Sequence, residues 1–425
     1  MKDMNKKYIK NIFNIAWFMI CLILMATGCN PAKDTEETMS VEIMELPQDT
    51  LGEVEVEQVP EISISREDES EADSKPEAAQ VSIVMVGDIL LHTPVEESAL
   101  QEDGSYNYDA IFANTKDEIQ SADLAIVNQE VIIGGTELGI SGYPSFNAPF
   151  EIGHALAEVG FDVVCHGTNH ALDKGKQGLL NCINFWEKNY PDIEVLGIHA
   201  TEEDAEEIIC VEKNGIKIAV LNYTYSTNGV PMPDDMPFAV DMLTNSNMDK
   251  IVADIQKAEE QADFVIVCPH WGTEYNLEIS SAQKKWTDIF LENGVDLVIG
   301  THPHVIEPIE MITDEQTGHR MLVYYSLGNF VNWTSSTGEG IANRMVGGMA
   351  QVTIEKDESG NTYIKEYGIE ELVCHLEKGA NKVTVYFLDE YTEELAEQNQ
   401  IVKQDAAFSL QYCKDLVANV WKNMY

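Results

Sequence analysis

The chain has 425 residues, 73 of them Asp or Glu against 26 Lys or Arg, for a net charge of −47. Phosphate neutralisation dominates nucleic-acid affinity, so a chain this acidic is expected to have no nucleic-acid partner. Eight cysteines without a CxxC pair give no sign of a disulfide framework, and no Walker or Gly-rich dinucleotide motif occurs.

Residues 1–29 read as a lipoprotein-type signal peptide. Lys2, Lys6, Lys7 and Lys10 precede an apolar stretch from Ile12 to Ala26, and Ala26-Thr27-Gly28 then meets Cys29. The stretch is short for a membrane span, and an uncleaved N-terminal anchor is the alternative. The Gly-Cys junction resembles a bacterial lipobox. That likeness implies lipidation of Cys29, with the chain held on the outer face of the bacterial cytoplasmic membrane. Residues 30–80 hold 16 Asp/Glu against Lys33, Arg66 and Lys75. Such a segment buries too little apolar surface to offset its ordering entropy, and it reads as an acidic disordered tether. The body that follows carries −37.

From residue 81 the pattern is strand, polar loop, helix. Val81–Val86 runs into Gly87-Asp88 and then His92, and Leu124–Val127 runs into Asn128-Gln129-Glu130. Glu151–Gly160 places Ile152, Ala155, Leu156 and Val159 on one helical face. Phe161–Cys165 follows as a strand ending in His166-Gly167-Thr168-Asn169-His170, with a helix over Lys176–Asn189. Lys217–Leu221 reads as a strand leading to Asn222 and Tyr225, and 226–246 as a loop over the site. Phe264–Cys268 runs into Pro269-His270, Ser280–Asn293 reads as a helix, and Leu297–Ile299 runs into Thr301-His302-Pro303-His304. Leu322–Tyr325 runs into Ser326-Leu327-Gly328-Asn329. This alternation predicts a layered α/β domain over 81–350. Strands at Gln351–Glu355, Tyr363–Tyr367 and Lys382–Leu388, and helices at Glu393–Asn399 and Ala406–Lys422, are expected to complete it over 351–425.

Open α/β sheets bind ligands outside the carboxyl ends of their strands, and six strands here deliver Asp, Asn, Glu or His to that edge. Two imidazoles flanking Pro303 are hard to explain by packing, and neutral His is the commonest metal ligand. His270 adds a third imidazole, and Asp88 and Glu130 add carboxylates. Such a mixed set suits manganese, zinc or iron better than calcium. Asn169 can ligate through its carbonyl oxygen. His170, followed by Asp173, is placed to touch a phosphoryl oxygen or to protonate a leaving group. The plainer reading of Asn169-His170 is an Asx-turn with a solvent-facing His. His166 reads as a strand-end His that hydrogen-bonds locally. Cys165 and Cys268 read as buried, inert thiols.

The segments GDILLH (87–92), NQE (128–130), FNAP (146–149) and GFDVVCHGTNHALDKG (160–175), together with PHWGTEYN (269–276), GVDLVIGTHPHVIEPIE (294–310) and YYSLGNF (324–330), carry a family likeness. Through them the chain resembles the capsule-synthesis CapA, or poly-γ-glutamate synthesis, proteins, which are similar to calcineurin-like metallophosphoesterases. The resemblance implies a layered α-β-β-α sandwich of metallophosphoesterase type and a centre of two divalent metal ions. It implies Asp88, Glu130, Asn169, His270, His302 and His304 as ligands, Glu130 as the bridge, and Asn169 and His170 as catalytic. It further implies that His92, Asn128, Asp173, Glu274 and Asn329 support the ligands or touch substrate. The phosphoesterase pattern opens Asp-x-His, whereas Asp88 and His92 are four apart. Glu130 stands where that pattern has Asp, and Glu307 where the family often has Gln.

The expected function is metal-dependent hydrolysis of phosphoester type in capsule or poly-γ-glutamate synthesis. The alternatives are a non-catalytic component binding the polymer or its synthase at the membrane, and a metal-dependent γ-glutamyl hydrolase using the same ligands.

Overall fold

The structure, a computed structural model, describes residues 78–422. The signal segment, Cys29 and the tether up to residue 77 lie outside the described residues. In chain order the elements are β1 (Ala79–Leu90), α1 (Thr93–Ala99), α2 (Asp109–Phe112), α3 (Lys116–Ser121), β2 (Leu124–Gln129), α4 (Phe150–Val159), β3 (Val163–Cys165), α5 (Gly175–Asn189) and β4 (Glu194–Leu196). Next come β5 (Cys210–Lys213), β6 (Ile216–Thr224), α6 (Met248–Gln261), β7 (Phe264–His270), α7 (Ser281–Glu292), β8 (Leu297–Ile299), β9 (Ile309–Thr313), β10 (Arg320–Tyr324) and β11 (Asn329–Asn332). The chain closes with β12 (Val346–Lys356), β13 (Thr362–Leu376), β14 (Val383–Phe387), α8 (Glu393–Gln398) and α9 (Leu410–Val420).

Two sheets result. The first runs β14-β13-β12-β1-β2-β3-β4, with β11 also paired to β1, and the second runs β5-β6-β7-β8-β10-β9. β1 to β4 are mutually parallel, as are β6, β7, β8 and β10. Parallel strands are buried on both faces, which is why they read as unbroken apolar runs; every residue of β2 and β7 is buried. The C-terminal strands extend the first sheet, β12 lying antiparallel to β1.

The second sheet shows the layering residue by residue. Ile218, Val220, Ile266 and Cys268 join the core shared with the first sheet, while Ala219, Leu221, Val265 and Val267 join a separate core under α6 and α7. Each fully buried aliphatic side chain contributes about 1.5–3 kcal/mol. Cys268 Sγ and Met85 Sδ meet at 3.7 Å across the two sheets. Tyr324 Oη donates to the Gly368 carbonyl at 2.7 Å. On the other side α4 and α5 pack with the first sheet, and Trp186 Nε1 donates to His166 Nε2 at 3.1 Å. The order is helix, sheet, sheet, helix, as the resemblance implies.

Local signals end the helices. Gly160 closes α4 in the left-handed region, φ 106°. Ser280 and Gln283 form a reciprocal capping box at the start of α7. The helix α6 was not among the expected elements. Its buried face is only Ile251, Ile255 and Ala258, in a segment dominated by acidic and basic residues.

Candidate metal centre

Asp88 sits at the carboxyl end of β1, in register with Asn128 on β2 and with Asn329 on β11. The β1–β2 register slips between Val86 and Asp88, at Gly87. A Cβ on Gly87 would lie 2.0 Å from the Gly328 carbonyl oxygen, so only glycine lets β1 and the β11 turn approach this closely. Asn128 Nδ2 donates to Asp88 Oδ1 at 2.8 Å. The His302 amide donates to both carboxylate oxygens of Asp88, at 3.2 Å each. That anchor holds His302 at φ 97°, with His304 at φ 57°. Such left-handed backbone costs on the order of 1–3 kcal/mol per non-glycine residue and collects at functional sites.

Around this anchor the strand ends converge. Glu130 is fully buried, and neither of its carboxylate oxygens has a hydrogen-bond partner. Its Oε1 lies 3.6 Å from His304 Nε2, 3.7 Å from His270 Nε2 and 3.8 Å from His170 Nε2. His304 Nδ1 lies 3.2 Å from Asp88 Oδ2 and 3.1 Å from Asn329 Oδ1. His302 Nδ1 is buried without a partner. Three donor groups have atoms within 4.8 Å of one another: Glu130 with His270 and His302, Asp88 with Glu130 and His304, and Glu274 with His302 and His304.

A buried carboxylate without hydrogen bonds is costly, and its separation from three imidazoles exceeds hydrogen-bond range. Donors at about 2.0–2.2 Å from a central divalent ion stand at such spacings from each other. The orphaned oxygens and nitrogen therefore fit divalent cations. Electrostatics agrees. Burial pushes the Glu130 carboxyl well up, against the pull of His304. Burial pulls His304 down, but Glu130 and Asp88 outweigh it and push the imidazole up to about 9. His270 and His302 are held well below their ordinary value by burial and by neighbouring imidazoles, and are neutral.

The remaining residues surround this core. Asn169 Oδ1 meets His270 Nε2 at 3.0 Å. His270 Nδ1 meets Thr301 Oγ1 at 3.0 Å. His170 Nδ1 pairs with Asp173 Oδ2 at 2.7 Å, and the same oxygen accepts the Phe146 amide at 2.7 Å. That bond turns His170 Nε2 toward Glu130. His170 is buried, so it does not face solvent. His92 packs on Phe146, ring centroids 4.9 Å apart, and burial, with His304, His170 and Arg344 near it, pulls it down to about 3. Glu274 is exposed at the rim. His166 bonds to Trp186 and Cys182 of α5 rather than locally. All twelve residues expected near the site thus lie in or around one cluster.

Several neighbours had no expected role. Asn228, in the loop after β6, meets His170 Nδ1 and Asn169 Nδ2 at 3.4 Å. The Tyr225 ring lies 4.5 Å from the His302 ring, tilted against it, and Tyr275 lies 5.9 Å from that of His304. Arg344 lies over Tyr275. Tyr225 closes the run Asn222-Tyr223-Thr224-Tyr225 after a strand, and that position was its only signal. A separate cavity of about 320 Å³ between α5, β4 and α6 shares no residue with this cluster. Its polar groups pair with one another, His199 with Asp241 at 2.6 Å and Lys250 with Asp254 at 2.7 Å.

Fold and site together define a four-layer α/β protein with a buried carboxylate–imidazole cluster, whose donor groups could hold a metal ion, at the carboxyl ends of its strands. The bacterial capsule synthesis protein PGA_cap family matches residues 82–334, and the chain belongs to that family. It is 27% identical to the capsule biosynthesis protein CapA of Bacillus anthracis over 270 residues, 61% of this chain and 62% of that protein. It is 31% identical to the PGA biosynthesis protein CapA of Bacillus subtilis (strain 168) over 184 residues, 42% of this chain and 45% of that one. The chain therefore spans less than two thirds of either relative. Among solved structures, a putative 5'-nucleotidase from Staphylococcus aureus aligns at TM-score 0.41 and 15% identity, over 68% of this chain and 54% of that one. The NAD nucleotidase of Haemophilus influenzae aligns at TM-score 0.43 and 13% identity, over 81% and 67%.

Proposed function

We propose that the chain is a metal-dependent hydrolase of phosphoester type, working in capsule or poly-γ-glutamate synthesis. The observation that carries this reading is the buried Glu130 carboxylate, unbonded and ringed by His170, His270 and His304. Asp88, Glu130, Asn169, His270, His302 and His304 would hold two divalent ions, of manganese, zinc or iron. When bound, such ions supply Lewis-acid polarisation of a phosphoryl oxygen and an activated nucleophile. His170 holds a proton on Nε2 for the leaving group, with Asp173 fixing the ring through Nδ1. Asn128 and Asn329 orient Asp88 and His304. Tyr225 and Tyr275 stand at the rim of the cleft beside His302 and His304. A lipidated Cys29 would anchor this domain to the outer face of the cytoplasmic membrane, beside the polymer and its synthase.

The test is turnover of a panel of phosphomonoesters and phosphodiesters by the purified protein. Glu130→Ala and His302→Ala should each abolish turnover; unchanged turnover in both rejects the reading. A second reading is hydrolysis of γ-glutamyl linkages, which would use the same ligands. Release of free glutamate from polymer, without ester turnover, would select it.

A further inference from the structure

The chain has three arginines, Arg66, Arg320 and Arg344, and one of them stands at the mouth of the metal centre. Arg344 lies in a 3-10 turn, Ile341–Met345, between β11 and β12. Its carbonyl accepts from Asn329 Nδ2 at 3.1 Å, and Asn329 Oδ1 meets His304 Nδ1 at 3.1 Å. One asparagine therefore ties Arg344 to a histidine of the centre. Its guanidinium carbon lies 3.5 Å over the Tyr275 ring. The Tyr275 ring in turn lies 5.9 Å from that of His304.

This guanidinium is underused by the fold. Its Nε is buried without a hydrogen-bond partner, and it forms no ion pair with a described residue. A partly buried cation without a hydrogen-bonded or ion-paired partner is costly, and stacking on Tyr275 and the charge of Glu274 offset only part of that cost. Planar N–H donors in a fixed fork match the paired oxygens of a phosphoryl or carboxylate group. A body carrying −37 repels anions elsewhere on its surface, so a substrate of that kind needs a cation at the entrance.

We propose that Arg344, held flat on Tyr275, is the anion-binding residue of the cleft and takes a phosphoryl or carboxylate oxygen pair of the substrate beside His302 and His304. The inference deepens the hydrolase reading and rests on it for the identity of the cleft. Arg344 is a substrate-positioning residue, and its loss leaves the metal ligands in place.

The test is calorimetric titration of the manganese-loaded full chain with inorganic phosphate and, separately, with glutarate. Metal content is measured for wild type, Arg344→Gln and Arg344→Lys. Arg344→Gln should keep its metal and bind the preferred anion roughly 10- to 100-fold more weakly, the range of a charge-assisted bidentate contact. Arg344→Lys keeps the charge without the fork and should recover part of that loss, and it serves if Arg344→Gln fails to fold. Preference for phosphate or for glutarate names the substrate's anionic group. Wild-type affinity for both anions in metal-loaded Arg344→Gln overturns the proposal, as does failure of the wild type to bind either. Anion binding that depends on Arg344 in a protein without ester turnover leaves this subsite standing and defeats the hydrolase reading. Ester turnover with an unchanged KM in Arg344→Gln does the reverse.

Discussion

Glu130 Oε1 lies 3.6 Å from His304 Nε2, and no hydrogen bond joins them. The Glu130 carboxylate, buried with neither oxygen hydrogen-bonded, destabilises the protein unless a cation satisfies it. Function and stability therefore oppose each other at Glu130. Glu130→Gln should raise the melting temperature of the metal-free protein, since burial already pushes the carboxyl well up. It should also abolish stabilisation by added metal, which for wild type is about 2.7 kcal/mol at a hundredfold excess over Kd. Thermal melts with manganese and with chelator check both halves.

His170 and Asp173 divide one task. His170 presents Nε2 to the cluster because Asp173 holds Nδ1 at 2.7 Å. His170→Ala should lower kcat about 10²- to 10⁴-fold, the usual range for losing a general acid, with metal content retained. Asp173→Asn keeps the Phe146 amide bond but weakens the hold on the ring. It should lower kcat less and displace the pH–rate profile, which a purely structural lesion would not do.

Gly87 places Asp88. A methyl group there would meet the Gly328 carbonyl oxygen at 2.0 Å, forcing β1 and β11 apart. Gly87→Ala should cost about 1–3 kcal/mol, the range for overpacking. It should also weaken metal binding, because Asp88 is in register with Asn329 across that contact. Metal titration of the folded fraction separates the two effects.

The buried pair Glu96 and Tyr108 contributes to the dependence of stability on pH. Burial pushes the Glu96 carboxyl up to about 8, although Tyr108 donates to it. The folded state thus holds a proton that the unfolded state releases above its ordinary value near 4.5. Stability from this group is present below about pH 4.5 and is lost progressively as pH rises to about 8. Glu96→Gln keeps an acceptor for Tyr108 and should remove that loss. It should be more stable than wild type at pH 8, by on the order of 2 kcal/mol, and equal to it near pH 4.5.

The central strands of both sheets were legible because they are buried on both faces and so stand out as apolar runs. The ligand residues were legible because each lies at or within a few residues of the end of such a run, as Glu130 follows Leu124–Gln129 and His270 ends Phe264–His270. What stayed hidden had no periodic signal. The helix α6 buries only Ile251, Ile255 and Ala258 among charged neighbours, and α1 to α3 are each seven residues or shorter. Arg344 lies 40 residues beyond His304 in a 3-10 turn, and the pairing of β11 and β12 with β1 returns it to the site. The roles of His166 and Asp173 depend on partners, Trp186 and Phe146, that sequence spacing does not identify.

The most direct test of the central claim is an anomalous difference map from crystals of the protein grown with manganese. If that claim holds, peaks lie within coordination distance of Glu130, His270 and His302, and of Asp88 and His304. A map with no peak at Glu130, from crystals of protein active on phosphoesters, would contradict it.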